Sequence, residues 1–233
     1  MTRAFSIVVA WDDSGDPYRR ASVDWTRTFW ACSFPDAELV VGHTDPFTRA
    51  SALNVAVEQA RHDLILQADP DSIVAAGQAR AALDAAARED GLVVAFERYL
   101  YLGEDATRDL LSRDPCDRLP SFAPGDCHDH GLEGLGNVTA YSRRTWERAG
   151  GYDERFGLWG GDDAAFAYAC AAFLRPTRRV PGDMLHAYHP RLPQSVPGDP
   201  EYVRQFAILA EYRDAAAVGS GAVRALVVGG RSR

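Results

Sequence analysis

The sequence predicts a single α/β domain with a mostly parallel central sheet flanked by helices. Short apolar runs, as expected for buried strands, alternate in the first half of the chain with segments of helical periodicity. The 233 residues are enough for one full hydrophobic core. Their composition, 46% apolar and 25% charged, is that of an ordinary globular protein.

Six segments have the pattern of strands. Each is a short run of mostly apolar residues bounded by turn-forming residues, which is typical of strands buried within a sheet. The predicted strands are Phe5–Trp11, Ala37–Gly42, Asp63–Gln67, Gly91–Phe96, Asn137–Tyr141 and Val180–Tyr188.

Six further segments have helical patterns. Ser142 is a suitable N-cap for one of them, and the glycine pair that follows Ala149 predicts its end. The predicted helices are Tyr18–Cys32, Ser51–Ala60, Ile73–Arg88, Arg143–Ala149, Asp162–Phe173 and Pro200–Tyr212. Asp114–Leu135 is rich in Pro and Gly and predicts a long loop. Small residues near the end of the chain predict a weakly packed or mobile tail over residues 213–233.

Charge and hydropathy argue against several classes of protein. The 33 acidic residues outnumber the 25 basic ones, giving a net charge of −8, whereas nucleic-acid binders normally carry the opposite sign. No apolar run approaches the roughly 20 residues of a membrane span, and the N-terminus lacks a secretory signal pattern. We therefore expect a cytoplasmic protein with no integral membrane segment and no nucleic-acid partner. The 4 cysteines are widely spaced, which disfavours a zinc knuckle or a disulfide framework.

Two aspartates follow the third predicted strand directly. Asp69 and Asp71, separated by Pro70, lie beyond the carboxyl end of that strand, where open α/β sheets bind ligands. Carboxylates in this arrangement can converge on a hard divalent cation, and such a cation can neutralise a diphosphate leaving group. Asp and Pro are also favoured turn residues, so a simple turn is the alternative.

The segment Trp159-Gly160-Gly161-Asp162-Asp163 is the second candidate. Its glycines allow a ligand to approach the backbone closely, and an aromatic ring beside them can stack on a sugar. A carboxylate near an acceptor hydroxyl can act as a general base. The alternative is that the aspartates only stabilise the start of the following helix.

Three other groups of polar residues are candidates. His186 and His189, near the end of the last predicted strand, can supply imidazole ligands to a metal, or be partly exposed without that role. Arg49, at a predicted helix start, can grip a phosphate or a nucleotide, or lie in solvent. The adjacent residues 127–130 (CHDH) cannot easily converge on one ion, so we favour a loop with substrate contacts or with no role.

Together these motifs resemble GT-A glycosyltransferases of the family-2 type. Phe47–Val55 (FTRASALNV) looks like the nucleotide-side helix motif of β-1,4-galactosyltransferases. Gly136–Tyr168 (GNVTAYSRRTWERAGGYDERFGLWGGDDAAFAY) looks like their C-terminal segment, which polypeptide N-acetylgalactosaminyltransferases share in outline. The resemblance covers roughly residues 5–190 and implies the GT-A, Rossmann-like fold. The domain would span residues 1–212, with a nucleotide-binding half over about 1–100 and an acceptor half over about 101–212.

The resemblance implies a role for each motif. Asp71 would bind Mn²⁺ or Mg²⁺ together with His186 or His189. Asp163 would be the general base, and Asp162, where the family usually has Glu, would contact the acceptor or the donor sugar. The residues implied to hold the nucleotide-sugar donor are Ala10, Trp11, Asp12, Phe47, Arg49, Asn54, Asp69, Trp159, Gly160 and Gly161.

The implied function is metal-dependent transfer of a sugar from a nucleotide sugar, either a UDP-hexose or a UDP-N-acetylhexosamine, to a hydroxyl of a glycan or protein acceptor. A single in-line displacement with Asp163 as base predicts inversion, whereas relatives that share the Trp-Gly-Gly signature leave retention open. The alternative is a non-catalytic module that binds nucleotide sugars or glycans on the same fold. A nucleotidyltransferase is disfavoured, because residues 12–16 are acidic where that class needs a basic, Gly-rich loop.

Overall fold

The structure is a computed structural model that describes residues 3–12, 15–129, 134–157, 160–191 and 195–230. The strands within these ranges are β1 (Ser6–Ala10), β2 (Glu38–Gly42), β3 (Leu64–Ala68), β4 (Ser72–Val74), β5 (Val93–Val94), β6 (Arg98–Leu102), β7 (Cys127–Asp129), β8 (Val138–Ser142), β9 (Arg178–Arg179) and β10 (Asp183–His186). The helices are α1 (Pro17–Ser33), α2 (Arg49–Gln59), α3 (Ala76–Arg88), α4 (Glu104–Ser112), α5 (Arg143–Ala149), α6 (Asp162–Phe173), α7 (Pro200–Val218) and α8 (Ser220–Gly230).

The strands form two sheets. The larger sheet has the order β2-β1-β3-β8-β5-β9, in which β1 is parallel to β2 and β3, β5 is parallel to β9, and β8 is antiparallel to both its neighbours. The smaller sheet has the order β4-β10-β6-β7, with β10 parallel to β6 and the outer pairs antiparallel. The prediction of an α/β domain with a mostly parallel sheet flanked by helices is confirmed.

The core lies on both faces of the larger sheet. Ile7 and Val9 pack on one face with residues of α1 and α3, and Val8 and Ala10 pack on the other with residues of α2, α6 and α8. All four side chains are at most 5% exposed, because successive residues of a strand face opposite sides of the sheet. Burial on both faces explains why this strand is a continuous apolar run.

Two helices that carry polar candidates begin at defined caps. The Thr48 side chain accepts a hydrogen bond from the Ser51 N–H, so α2 starts at Arg49. Gly161, with a φ of 98°, caps α6 and places Asp162 and Asp163 in its first turn. Carboxylates in the first turn are stabilised by the helix dipole.

Several elements differ from the sequence-based predictions. A helix was expected from Ile73, but Ser72–Val74 is the strand β4 and the helix starts at Ala76. Pairing with β10, which lies far along the chain, decides the conformation of this segment. The predictions lack β6 and α4, and β7 lies inside the predicted long loop. Strand pairing depends on distant neighbours, so local patterns indicate these strands poorly.

The predicted weakly packed tail is wrong for the residues that the structure describes. α7 continues to Val218, and α8 packs on the core through Val223 and Val227. The Arg224 side chain donates a hydrogen bond to the Ala172 carbonyl of α6 at 2.8 Å. Small side chains allow this close packing, which composition alone does not indicate. Neither α8 nor any other helix in the described part of the chain is long and apolar enough to cross a bilayer.

Replacing Val223 with Ala is expected to lower the free energy of unfolding by about 2 kcal/mol, because this side chain is 2% exposed. Val228→Ala on the same helix is the matched control, since the Val228 side chain is 58% exposed and such surface changes stay within about 0.5 kcal/mol. Urea unfolding of the two variants measures the difference. Equal and small effects would contradict a packed α8.

The cysteines also differ from expectation. Cys32 of α1 and Cys116 form a disulfide across 84 residues of sequence, whereas Cys127 and Cys170 are free. The expectation against disulfides is therefore wrong for this pair. Cys32 and Cys116 are adjacent in space but distant in the chain, so their spacing in the sequence does not indicate the disulfide.

Candidate active site

Four of the predicted polar motifs lie close together beside the two sheets. β3 ends at Ala68, so Asp69 and Asp71 lie beyond its carboxyl end. β4 begins directly afterwards and pairs with β10 so that His186 lies opposite Ser72. The register of these strands brings His186 next to Asp71, although the two residues are far apart in the chain.

Asp71, His186 and His189 form one cluster. The Asp71 carboxylate oxygens lie 3.5 Å from the His186 Nε2 and 3.5 Å from the His189 Nε2. One ligand atom from each residue lies within 4.8 Å of the others. Both histidines therefore face the same carboxylate, where the sequence left open which of them would do so.

Hydrogen bonds orient both imidazole rings. The Nδ1 of His186 donates to the Ala187 carbonyl and the Nδ1 of His189 donates to the Pro190 carbonyl, each at 2.9 Å. Because a carbonyl only accepts, each Nδ1 carries a proton, and each Nε2 faces Asp71. This second hydrogen bond is a common feature of metal-binding histidines.

The surroundings of the cluster shift the pKa values of two of its members, His186 and Asp71. Burial, opposed by the Asp71 charge, lowers the pKa of His186. Burial favours neutral Asp71, but the positive charges of protonated His186 and His189 and of Arg19 together outweigh it and lower the pKa of this carboxyl. The Tyr101 ring stacks on His186 with centroids 4.3 Å apart. A neutral imidazole and a charged carboxylate are the forms that bind a cation.

Arg49 joins the other acidic residues. Its guanidinium donates to the Asp69 Oδ1 at 2.8 Å and to the Asp163 Oδ1 at 2.7 Å, and it also contacts Asp162. All three carboxylates therefore contact the positively charged guanidinium of Arg49. The sequence predicted that Arg49 would grip a phosphate or nucleotide, whereas here its guanidinium holds three acids.

Burial raises the pKa of two of these carboxyls. The pKa of Asp163 is raised to about 7, by burial first and by the Asp162 and Asp69 charges, against the opposing effect of Arg49. Burial likewise raises the pKa of Asp69 to about 6, again opposed by Arg49. A carboxyl that titrates near neutral pH is suited to accept a proton in a reaction.

Two glycines leave room for the site. A Cβ at Gly136 would lie 2.0 Å from the Asp163 Cγ, so only a glycine fits against this carboxylate. A Cβ at Gly161 would lie 2.7 Å from the Phe156 ring, and the φ of 98° there also favours glycine. Gly160 has a φ of 90°, and a Cβ there would meet no atom of the described residues within 4 Å. Trp159, predicted to hold the donor sugar, lies outside the described residues.

The predicted nucleotide-side residues lie at the ends of two neighbouring strands. Ala10 ends β1, and Trp11 and Asp12 follow it, next to the end of β2. The His43 Nδ1 lies 3.3 Å from the Trp11 carbonyl, and its ring stacks on Phe47 with centroids 6.1 Å apart. His43 was not predicted as a site residue, although it directly follows the predicted second strand.

The side-chain amide of Asn54 is hydrogen-bonded to other residues of the protein. Its Nδ2 donates to the Tyr152 carbonyl and to Glu154, and its Oδ1 accepts from the Trp146 Nε1 and the Tyr152 N–H. These protein partners use the hydrogen-bonding capacity of the amide. The Asn54 amide therefore has no free donor or acceptor for the expected contact with the nucleotide sugar.

The run at residues 127–129 does not converge on one point. It forms β7, in which successive side chains face opposite sides of the smaller sheet. Within the described ranges, the cluster that could hold a metal is the one at Asp71; His130 lies outside them. A cavity of about 820 Å³ is lined by Leu100, Cys127 and Asp183, but by none of the predicted site residues.

One known family is similar in sequence to a segment that contains part of the candidate site. A sequence model of the family described as "N-terminal domain of galactosyltransferase" matches residues 121–190, a segment that contains Asp163, His186 and His189. No curated protein matches the chain.

Solved glycosyltransferase structures have a similar fold. Glucosyl-3-phosphoglycerate synthase from Mycobacterium tuberculosis, in complex with Mn²⁺, UDP-glucose and phosphoglyceric acid, matches with a TM-score of 0.52 and 12% identity over 89% of this chain and 80% of that chain. Residues 1–349 of TarS from S. aureus match with a TM-score of 0.51 and 11% identity over 90% of this chain and 65% of that chain. The chain has the GT-A fold.

The predicted GT-A resemblance is thereby confirmed for the fold. The catalytic domain of Drosophila β1,4-galactosyltransferase 7, in complex with xylobiose, matches 76% of this chain with a TM-score of 0.43 and 15% identity. The match covers 65% of the length of that domain. In this GT-A chain, residues of the two acidic motifs and the two histidines of the prediction lie close together, through the contacts of Arg49 and Asp71. The positions of Ser72, Asn137 and Tyr101 beside them were not predicted, because they depend on strand register.

Proposed function

We propose that this GT-A protein is a metal-dependent glycosyltransferase, which moves a sugar from a UDP-hexose or UDP-N-acetylhexosamine to an acceptor hydroxyl. One observation carries the proposal: the contacts of Arg49 with Asp69 and Asp163 link the half-buried Asp163 to the turn that carries Asp71 of the Asp71–His186–His189 cluster. A module that only binds sugars needs no carboxyl with a pKa raised to about 7 near a candidate metal site.

The donor atoms of the cluster fit a divalent cation. One carboxylate oxygen and two imidazole nitrogens face one another, and Mg²⁺ prefers oxygen ligands and octahedral geometry. We therefore favour Mn²⁺ over Mg²⁺ at Asp71, His186 and His189. A cation bound there would offset the negative charge that develops on the diphosphate leaving group.

Asp163 supplies the base in this proposal. Its carboxylate accepts the proton of the acceptor hydroxyl as that oxygen attacks the anomeric carbon of the donor. Arg49 holds the Asp163 Oδ1 and so restricts the orientation of the carboxylate. A single displacement of this kind inverts the anomeric configuration, and NMR of the product distinguishes inversion from retention.

The positions of the remaining polar and aromatic residues suggest which part of the donor each would contact. Trp11, Asp12 and Phe47, with His43, lie at the ends of β1 and β2 and would contact the nucleotide. Asp69 would contact the ribose or the donor sugar, and the acceptor would be a glycan or a protein. The Cys32–Cys116 disulfide is more typical of oxidising compartments than of the cytoplasm that we expected.

A donor screen tests the proposal. Purified protein is incubated with UDP- and GDP-sugars and Mn²⁺, and the released nucleotide is measured with and without EDTA. We expect turnover of a UDP-sugar that EDTA abolishes. Thermal stabilisation by a UDP-sugar and Mn²⁺ without any turnover would contradict the enzyme and support the binding module.

The pH dependence of activity follows from the pKa of Asp163, which burial raises to about 7. Below this pH the carboxyl is protonated and cannot accept a proton, so kcat/KM should rise about tenfold per unit as pH increases and level off above about 7. The profile is measured with Mn²⁺ saturating at each pH. A profile that is flat from roughly pH 5 to 8 would argue against Asp163 as the base.

A further inference from the structure

The segment Gly134–Asn137 lies beside the turn that carries Asp71 and beside the proposed base, Asp163. It precedes β8, whose antiparallel pairing with β3 puts Val138 opposite Ala68. One residue further out, the Asn137 carbonyl accepts the N–H of Asp69 at 2.7 Å. The sheet register thereby holds Asn137 beside the turn that carries Asp69 and Asp71.

The Asn137 side chain reaches the metal-binding carboxylate through one hydroxyl. Its Nδ2 donates to the Ser72 Oγ at 3.2 Å, and the Ser72 Oγ donates to the Asp71 Oδ1 at 3.3 Å. Ser72 is fully buried and Asp71 is 7% exposed. Because water has little access there, this chain of hydrogen bonds constrains the carboxylate strongly.

The backbone of Asn137 has an uncommon conformation. Its φ is 55°, and among the described residues other than glycine it alone has a positive φ. Asn tolerates this conformation better than most residues do. The conformation lets the carbonyl and the side chain of one residue contact the same turn, at Asp69 and at Ser72. Such backbone conformations concentrate at functional sites.

The preceding residue supports the base. A Cβ on Gly136 would lie 2.0 Å from both the Cγ and the Oδ2 of Asp163. The Asp163 carboxylate therefore packs against the backbone of residue 136. Of these adjacent residues, Gly136 packs against the Asp163 carboxylate, and Asn137 is linked to the Asp71 carboxylate through the Ser72 hydroxyl.

We propose that Asn137 is a positioning residue that holds the metal-binding carboxylate of Asp71 through the Ser72 hydroxyl, while Gly136 beside it sets the place of the Asp163 carboxylate. The inference rests on the metal site of the proposed function. Groups that orient a metal ligand typically contribute about 10- to 100-fold to metal affinity. Neither residue touches the reacting atoms in this scheme.

Asn137→Gly tests the first part. Glycine keeps the positive φ and the carbonyl that accepts from Asp69, and it removes only the side chain. We expect the Kd for Mn²⁺, measured by calorimetry without donor, to rise about 10- to 100-fold, with little change in the thermal midpoint of the metal-free protein. An unchanged Kd would overturn the role of Asn137.

Ser72→Ala removes the hydroxyl that links Asn137 to Asp71. This variant tests the same chain of hydrogen bonds if Asn137→Gly folds poorly. We expect a similar weakening of Mn²⁺ binding. Because both residues act through one chain of hydrogen bonds, the double variant should bind Mn²⁺ about as weakly as either single variant. Two effects that multiply in the double variant would show independent structural roles and overturn the proposal.

Gly136→Ala tests the second part. Its Cβ displaces Asp163, so turnover should fall while the Kd for Mn²⁺ stays within about threefold of the unchanged protein. Full turnover in this variant would overturn the role of Gly136. A protein that transfers no sugar but shows the expected Mn²⁺ losses in Asn137→Gly and Ser72→Ala would refute the glycosyltransferase and retain Asn137 as a positioning residue.

Discussion

Replacing Asp163 with Asn is expected to lower kcat by about 100- to 10,000-fold, because the amide cannot accept the acceptor proton. Donor binding should survive, since the metal cluster at Asp71 does not include Asp163. The measurements are the rate of sugar transfer and the thermal shift produced by Mn²⁺ with a UDP-sugar. The variant should also lose the rise of kcat/KM near pH 7.

Asp162→Asn is the matched control for this experiment. Asp162 is the adjacent residue in the first turn of α6 and contacts the same Arg49 guanidinium. Its replacement removes the same charge from the cluster of acids without removing the proposed base, so the loss of kcat should be smaller. Equal losses in the two variants would mean that the charge balance around Arg49, and not proton transfer to Asp163, explains the effect.

Replacing Asp71 with Ala is expected to weaken Mn²⁺ binding by more than about 100-fold, because even the groups that only orient a metal ligand contribute 10- to 100-fold. Asp71 is also the carboxylate that both histidines face at 3.5 Å. Metal-dependent turnover should fall with the affinity. Titration calorimetry with Mn²⁺ and assays over a range of Mn²⁺ concentrations measure the two effects.

The histidines extend this experiment. His186→Ala and His189→Ala should each weaken Mn²⁺ binding, since both Nε2 atoms face Asp71. His62→Ala is the control, because His62 lies just before the start of β3 and outside the cluster. Unchanged Mn²⁺ affinity in Asp71→Ala would remove this residue from the metal site, and with it the arrangement on which the proposed function depends.

Much of the larger sheet could be predicted from the sequence. The run around Val8 is apolar without interruption because both of its faces are buried. The helix Arg143–Ala149 has a serine cap and a glycine end, and both of its predicted bounds are observed. In contrast, Ile73 and Val74 of β4 were predicted as the start of a helix, because the strand conformation there depends on pairing with β10.

Residue chemistry alone also identified most members of the site. Aspartates after a strand, aspartates after a glycine pair and two histidines near a strand end are groups that bind metals or move protons. These polar side chains directly follow or interrupt apolar segments, so the sequence pattern is sufficient to single them out. The partnership of Arg49 with three acids was not predicted, because it joins α2, the turn after β3 and the start of α6.

The sequence by itself determined the class of fold, the buried strands and the chemical types of the site residues, since these depend on local side-chain properties and their periodicity. Only the tertiary structure decided that both histidines face Asp71, that Asn137 is linked to Asp71 through Ser72, and that Gly136 lies against Asp163. Those contacts follow from the register of β4 with β10 and of β3 with β8. Strand register is set by packing across the whole sheet, so no local pattern contains it.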